Sequence, residues 1–214
     1  MKLKSVCALG LSFVLALVSL QASAALITYE TRQTTSGVNQ SDYQASWFNQ
    51  GSSIVSQNLS AFTNVTAPSY NHHSHLQVNF EVGSAFASSD WAFQVAPDAG
   101  FGGSLFLNGV QLDIDSSDLW WGWNWNNINE LLTATGVDVA EDSHQLDVYW
   151  AEGCCNGGQS ARFSYDNGQS WLALSVDNLN AVAVDVPEPS GIALLGMGLL
   201  GLAYMRKRQD KQSA

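Results

Sequence analysis

Two adjacent cysteines, Cys154 and Cys155, are the most unusual reactive groups in this chain. Neighbouring Cα atoms across a trans peptide lie about 3.8 Å apart, below the usual ~4.4–6.8 Å of a disulfide, so a bridge between them closes a strained eight-membered ring. Such a ring stiffens a turn and offers a flat sulfur surface to a sugar ring or an aromatic group. Strain also makes it easier to reduce, which keeps a redox role open. Gly153, Gly157 and Gly158 supply backbone freedom around it. Two intermolecular disulfides, or free thiols that bind metal or react with a partner, are the alternatives.

Three carboxylates, Asp113, Asp115 and Asp118, fall within six residues, and hard oxygen ligands of this kind suit calcium. The glycine and distal glutamate of an EF-hand are missing, and a solvated acidic loop has the same pattern. His72, His73 and His75 form a second cluster. His73 and His75 share a side if the backbone is extended, but no cysteine or patterned carboxylate nearby completes a tetrahedral metal set. A polar loop or strand entry is the simpler expectation. In the run from Trp120 to Asn127, Trp121, Trp123 and Trp125 would share one face of a strand and Trp120 the other. Exposed aromatic faces stack on sugar rings, and Asn side chains both donate to and accept from hydroxyls. The same tryptophans could fill a core, where Trp47, Trp91, Trp150 and Trp171 are also expected. No G-x-S-x-G, HExxH or Walker sequence occurs, and no lysine lies between Ala25 and Val186. Acid pairs able to hydrolyse glycosides abound in so acidic a chain and single out nothing. The expectation is a protein that is not an enzyme.

The elements that position these groups read as β-strands. His75 to Val82 alternates polar and apolar for eight residues, Trp91 to Val95 is a second strand, and His144 to Trp150 alternates again. Ser104 to Leu107 and Val110 to Ile114 flank Asn108-Gly109, the signature of a type I′ hairpin turn. A second hairpin joins Ala161 to Tyr165 with Ser170 to Ser175 through Asp166-Asn167-Gly168. Asn126 to Thr133 is the best candidate for a short helix, and Tyr43 to Asn49 is ambiguous. Short strands with Gly-rich turns predict an all-β fold, a single antiparallel β-sandwich.

Both ends carry addresses. Lys2 and Lys4 precede the apolar stretch Val6 to Leu20, and Ala22-Ser23-Ala24 has the small-x-small pattern of a signal-peptidase site, which predicts cleavage after Ala24. Cys7 leaves with that peptide. At the other end Pro187-Glu188-Pro189 is followed by an apolar run ending at Met205 and by Arg206, Lys207 and Arg208. As a helix, Ser190 to Met205 spans roughly 24 Å, slightly less than the ~30 Å hydrocarbon core, with interfacial Tyr204 and snorkelling basic side chains making up part of the difference. The positive-inside rule places the basic cluster in the cytoplasm. Between the two signals lie 162 residues with 17 acidic and two basic side chains, Arg32 and Arg162, a formal charge of 2 − 17 = −15. That charge repels nucleic acid and anionic lipid and suits divalent cations or neutral glycans as partners, or serves solubility in the extracellular medium alone.

The tail resembles the PEP-CTERM sorting signal of Gram-negative bacteria, with its Pro-Glu-Pro motif, hydrophobic helix and basic cluster in order. The resemblance implies that an inner-membrane protease of the exosortase type recognises Pro187, Glu188 and Pro189 and cuts near them. It also implies a membrane-anchored precursor and then a location at the cell surface or in the extracellular matrix, in association with exopolysaccharide. A second resemblance rests on Trp91 to Val95 leading to Asp98, on Leu105 to Gly109, and on the strand from His144 to Tyr149. These are similar to the PA14/GLEYA type of ligand-binding β-sandwich. His144, Glu152 and Cys154-Cys155-Asn156-Gly157 with this tail resemble a Cys-Cys-x-Gly subset of PEP-CTERM proteins. PA14-type lectins place two adjacent aspartates on a sugar-contacting calcium ion; Pro97-Asp98-Ala99-Gly100 keeps one of them. Asp98 thus joins Asp113, Asp115 and Asp118 as a calcium candidate. The expected organisation is a signal peptide over 1–24, an extracellular sandwich over 25–186 and a sorting signal over 187–214. A secreted hydrolase or redox protein, or a purely structural envelope protein, is the competing expectation.

Overall fold

The computed structural model describes residues 24–67, 70–155 and 157–183. The expected signal peptide, including Ala22, lies outside the described residues, as do Pro187 to Pro189, the apolar run, Arg206 to Arg208 and Asn156.

The chain opens with β1 (Leu26–Gln33), the helix α1 (Tyr43–Phe48), β2 (Ile54–Leu59), β3 (His72–Val82) and β4 (Ser88–Ala96). It continues through the short β5 (Asp98–Ala99), β6 (Gly103–Leu107), β7 (Val110–Asp115) and β8 (Leu119–Trp120). A 3-10 turn at Ile128–Glu130 leads to β9 (Leu132–Val139), β10 (Asp142–Glu152), β11 (Ser160–Ser164), β12 (Leu172–Ala173) and the helix α2 (Val176–Ala181). One sheet has the order β2-β1-β3-β10-β6-β7, a second β12-β11-β4-β9, and β5 pairs with β8 as a separate ribbon; all pairs are antiparallel. The described core is therefore an antiparallel β-sandwich.

Period-two alternation builds the inner face of the larger sheet. Leu76, Val78, Phe80 and Val82 of β3 sit beside Ile27 and Tyr29 of β1 and beside Leu146, Val148 and Trp150 of β10. Trp91, Phe93 and Val95 of β4 with Phe163 of β11 face them from the smaller sheet, all within one buried cluster. Asn108 and Gly109 connect β6 to β7 with φ of 52° and 77°, the pair of positive dihedrals a type I′ turn needs. Asn167 and Gly168 likewise have positive φ between β11 and β12.

Several sequence expectations change. The helix expected over Asn126 to Thr133 is only the 3-10 turn, because Leu132 and Ala134 are recruited into β9, where Leu132 pairs with Val95. Tyr43 to Phe48 is helical, capped by the Asp42 carboxylate, which accepts from the Ala45 N–H at 2.8 Å. Trp47 packs with Tyr43, Phe106 and Tyr149 in a cluster separate from the sandwich core. Trp171 is half-buried beside Arg162 and is not a core residue.

The histidine tract forms the entry of β3, one of the two expected placements, and it is buried there. His73 meets the Thr34 and Ser46 hydroxyls, each at 3.0 Å. Burial first, then the charges of His72 and Arg32, push its pKa down to about 4, so it is neutral at pH 7. His75 lies between Glu30 at 3.1 Å and Asp147 at 2.9 Å and stacks on Tyr149 at 4.3 Å. These contacts tie β1, β3, β10 and α1 together, a structural use of histidine.

Candidate functional site

Three chain segments build a cleft beside the β5–β8 ribbon. Asp98 sits opposite Trp120 in the ribbon register. Glu152 ends β10, and its carboxylate clamps two loops: one oxygen accepts from Gly100 N–H at 2.7 Å, the other from Gly153 and Cys154 N–H at 2.6 and 2.7 Å. Asp98 accepts a hydrogen bond from Gly157 N–H, which pins the far side of the cysteine loop. Cys154 and Cys155 form a vicinal disulfide that is exposed on the rim, with Cys155 at φ 57°. With Asp118 and Trp120 these groups enclose a cleft of about 460 Å³, within the range of small-ligand sites.

Both oxygens of Glu152 accept from backbone donors, so it acts as a clamp between loops. Asp98 is buried, and burial raises its pKa to about 6, aided by the negative charges of Glu152 and Asp118 and opposed by the Gly157 N–H. A carboxyl whose folded pKa exceeds its unfolded value binds more protons in the native state between about pH 4 and 6, so its contribution to stability falls as pH rises through that window. Replacing Asp98 by asparagine is therefore expected to stabilise the domain relative to wild type at pH 7.5 and to lose that advantage by pH 4. Urea titrations at the two pH values measure it.

The second half of the site is the tryptophan loop. Gly122 and Trp123 have φ of 59° and 61°, so the chain turns on itself and the run from Trp121 to Trp125 is a loop rather than a strand. A left-handed tryptophan is rare, and it is held here by its neighbours. Trp121 is buried and donates its indole N–H to Gly158 O at 2.9 Å. Trp123 is 55% exposed and meets Trp120, itself 42% exposed, edge to face at 6.0 Å. Trp121 also packs on Trp123 at 5.4 Å and on Trp125 at 4.8 Å, so the three residues singled out by sequence do come together.

Gly157 and Gly158 explain how the two halves join. A Cβ on Gly157 would run into the Trp120 ring, and one on Gly158 into the Trp123 ring and Asn64. Both glycines serve close approach of the cysteine loop to the tryptophan loop, a sharper requirement than backbone freedom alone. Gly158→Ala is expected to displace the Trp123 indole and to lower stability by about 1–3 kcal/mol, the usual cost of overpacking. Thermal unfolding together with Trp123-dependent fluorescence checks both effects.

The calcium candidates do not converge. Asp113 accepts from Thr133 N–H at 2.7 Å and from Ile114 N–H at 2.9 Å, while Asp115 accepts from Ser117 N–H at 2.7 Å and its hydroxyl at 2.5 Å. Only Asp98 and Asp118 line the cleft. Among the described residues no three His, Cys, Asp or Glu side chains form a set able to hold a metal ion, so the donors present do not fit a calcium site. His144, grouped with the cysteines by resemblance, instead meets Asn108 at 2.9 Å and Ala140 O at 2.9 Å and steadies the β6–β7 turn. Trp120 and Arg162 were not singled out as ligand-site residues from sequence. Arg162 is nonetheless one of only two arginines between Ala25 and Val186.

The geometry defines an antiparallel β-sandwich carrying a loop-built acidic and aromatic cleft. Residues 185–208 match the family model described as the PEP-CTERM protein-sorting motif. The chain is thus an exported surface protein processed by an exosortase-type system. No curated protein matches the chain in sequence. Among solved structures the sandwich is similar to the PA14 domain of the MpAFP antifreeze protein, with a TM-score of 0.49 and 12% identity over 73% of this chain and 90% of that one. It is also similar to the A domain of Epithelial Adhesin 9 from Candida glabrata in complex with Galβ1-4GlcNAc, with a TM-score of 0.41 and 9% identity over 70% and 91% of the two chains.

Proposed function

We propose that the sandwich is a non-enzymatic binding domain that attaches to extracellular polysaccharide through the face formed by Trp120, Trp123 and the Asp98 cleft. The observation that carries this reading is the part-exposed indole of Trp120 on a cleft lined by carboxylates and the disulfide, with the exposed Trp123 ring edge-on beside it. Indole faces stack on the C–H faces of pyranose rings, and carboxylate oxygens accept from sugar hydroxyls. Water satisfies neither the apolar ring faces nor their fixed geometry, so rigid exposed tryptophans favour an amphipathic partner. The sorting motif supplies the setting, since it sends the domain to the surface or matrix where such polymers lie.

The same reading assigns residues 1–24 to a signal peptide, 25–186 to the exported domain and 187–214 to the sorting tail. The apolar tail helix holds the precursor transiently in the inner membrane, with Arg206, Lys207 and Arg208 on the cytoplasmic side. Intact mass of the protein recovered from its native host is expected to show loss of residues 1–24 and of the segment after the Pro-Glu-Pro motif. Reduction is expected to add two hydrogens, as for a single intramolecular disulfide. Retention of the C-terminal segment contradicts the processing scheme.

A glycan array probed with the mature protein tests the binding function. Binding without product formation is expected, and it is expected to persist in chelator because the aspartates do not form a calcium set. Release of sugar products, or no binding to any glycan, overturns the proposal.

A further inference from the structure

Between Ala25 and Val186 there are 17 carboxylates and two guanidinium groups, yet among the described residues neither arginine is paired with a carboxylate. Arg32 is consumed internally, donating to the carbonyls of Trp47, Gln50 and Ser52. Arg162 is different. Its guanidinium carbon lies 4.3 Å from the ring centre of Trp125 and 4.3 Å from that of Trp171. Two of its N–H groups, on Nε and one Nη, converge on Gln94 Oε1 at 2.8 and 2.6 Å. Five donors are available on a guanidinium, and the second Nη makes no protein hydrogen bond among the described residues.

Two indole rings and the Gln94 amide therefore hold this cation, while it lines a cleft of about 430 Å³ together with Trp121 and Trp123. Burial lowers its pKa, the sign that it is partly desolvated, yet an arginine keeps its charge. A fixed, partly dry guanidinium edge is matched by a planar carboxylate, which it meets through parallel charge-assisted hydrogen bonds. Aromatic rings beside it are matched by a pyranose. Trp123 belongs to this cleft and also meets Trp120 of the acidic cleft, across the consecutive residues Gly157 and Gly158.

We infer that the Arg162 cleft is a second subsite that reads the carboxylate of a uronic acid, so that the polysaccharide bound is an acidic one containing uronate residues. This rests on the polysaccharide reading of the neighbouring face and narrows it. A chain crossing the Trp120–Trp123 ridge presents hydroxyls to Asp98 and Asp118 and its carboxylate to Arg162. The surrounding negative charge then works as a filter: it repels a polyanion at long range, where salt screens it, and leaves only the short contact at Arg162 favourable.

The test compares short uronate oligosaccharides, such as oligogalacturonides, oligoglucuronides and oligomannuronides, with the same oligosaccharides after carboxyl reduction. Binding is read by tryptophan fluorescence and calorimetry at 0.15 M salt. The mature protein is expected to bind at least one acidic series about 10-fold or more tighter than its reduced counterpart. Arg162→Gln is expected to bring the two affinities together, whereas Trp120→Ala should weaken both. Equal binding of acidic and reduced forms by wild type overturns the uronate assignment and leaves the polysaccharide function standing. Binding of neither form overturns both. The wild-type comparison requires no variant, so misfolding of Arg162→Gln does not spoil it.

Discussion

Replacing Trp120 and Trp123 together by alanine is expected to lower polysaccharide affinity about 100-fold while lowering stability less than removal of the buried Trp121 does. Each exposed ring stacked on a sugar contributes on the order of 1.4 kcal/mol, within the range of aromatic pairs, and each such increment is tenfold in affinity. Trp120 is 42% and Trp123 55% exposed, so truncation of each removes less buried surface than loss of Trp121, which is 4% exposed. Trp121 in the same loop is buried and bonded to Gly158 O, so its loss should instead unseat the loop and lower stability. Isothermal titration and thermal unfolding of the double variant and of Trp121→Ala separate the two behaviours. Equal loss of stability in both proteins would show that the exposed pair is structural.

The largest stability effect is expected at Trp150. It is fully buried near the C-terminal end of β10, stacked on Tyr29 with ring centres 5.9 Å apart and edge-on to Phe62 at 6.1 Å. Gly103 faces it across the β10–β6 pair, and even a methyl group there would press on the Trp150 Cβ. Trp150→Ala is expected to cost about 4 kcal/mol, a large share of the ~5–15 kcal/mol by which such domains are stable. For a domain of this size that corresponds to a fall in Tm of about 8–16 °C. Trp150→Phe should cost much less than its volume implies. The Trp150 indole N–H is buried with no hydrogen-bond partner among the described residues, so the smaller ring also removes an unsatisfied donor. Urea unfolding followed by circular dichroism gives both values, and a Trp150→Phe protein as unstable as Trp150→Ala would contradict this account.

What the sequence disclosed follows from how local each signal is. Alternation in His75 to Val82 and His144 to Trp150, and the Asn-Gly turn, are short-range patterns, and all three reappear in β3, β10 and the β6–β7 hairpin. The sorting motif is a contiguous string and was legible in full. Composition carries no sign of the two consecutive left-handed residues that turn the loop, so the spacing of Trp121, Trp123 and Trp125 alone does not decide between a strand face and a turn. The pairing of Asp98 with Trp120, and the use of Gly157 and Gly158 as spacers against two indoles, depend on residues far apart in the chain. No periodicity could reveal them. The aspartates were misleading for the opposite reason. Asp113 and Asp115 are close in sequence, yet one accepts from Thr133 in β9 and the other folds back on Ser117. Glu152, by contrast, lies two residues before the cysteines, and the clamp it makes is a local consequence of that spacing.

Affinity electrophoresis of the mature protein through gels containing extracellular polysaccharide purified from the producing cells tests polysaccharide binding most directly. Wild type is expected to be strongly retarded relative to a polysaccharide-free gel, and the Trp120→Ala, Trp123→Ala double variant to migrate freely in both. Wild-type protein that runs equally far in the two gels would contradict the assignment of this face as a polysaccharide-binding surface.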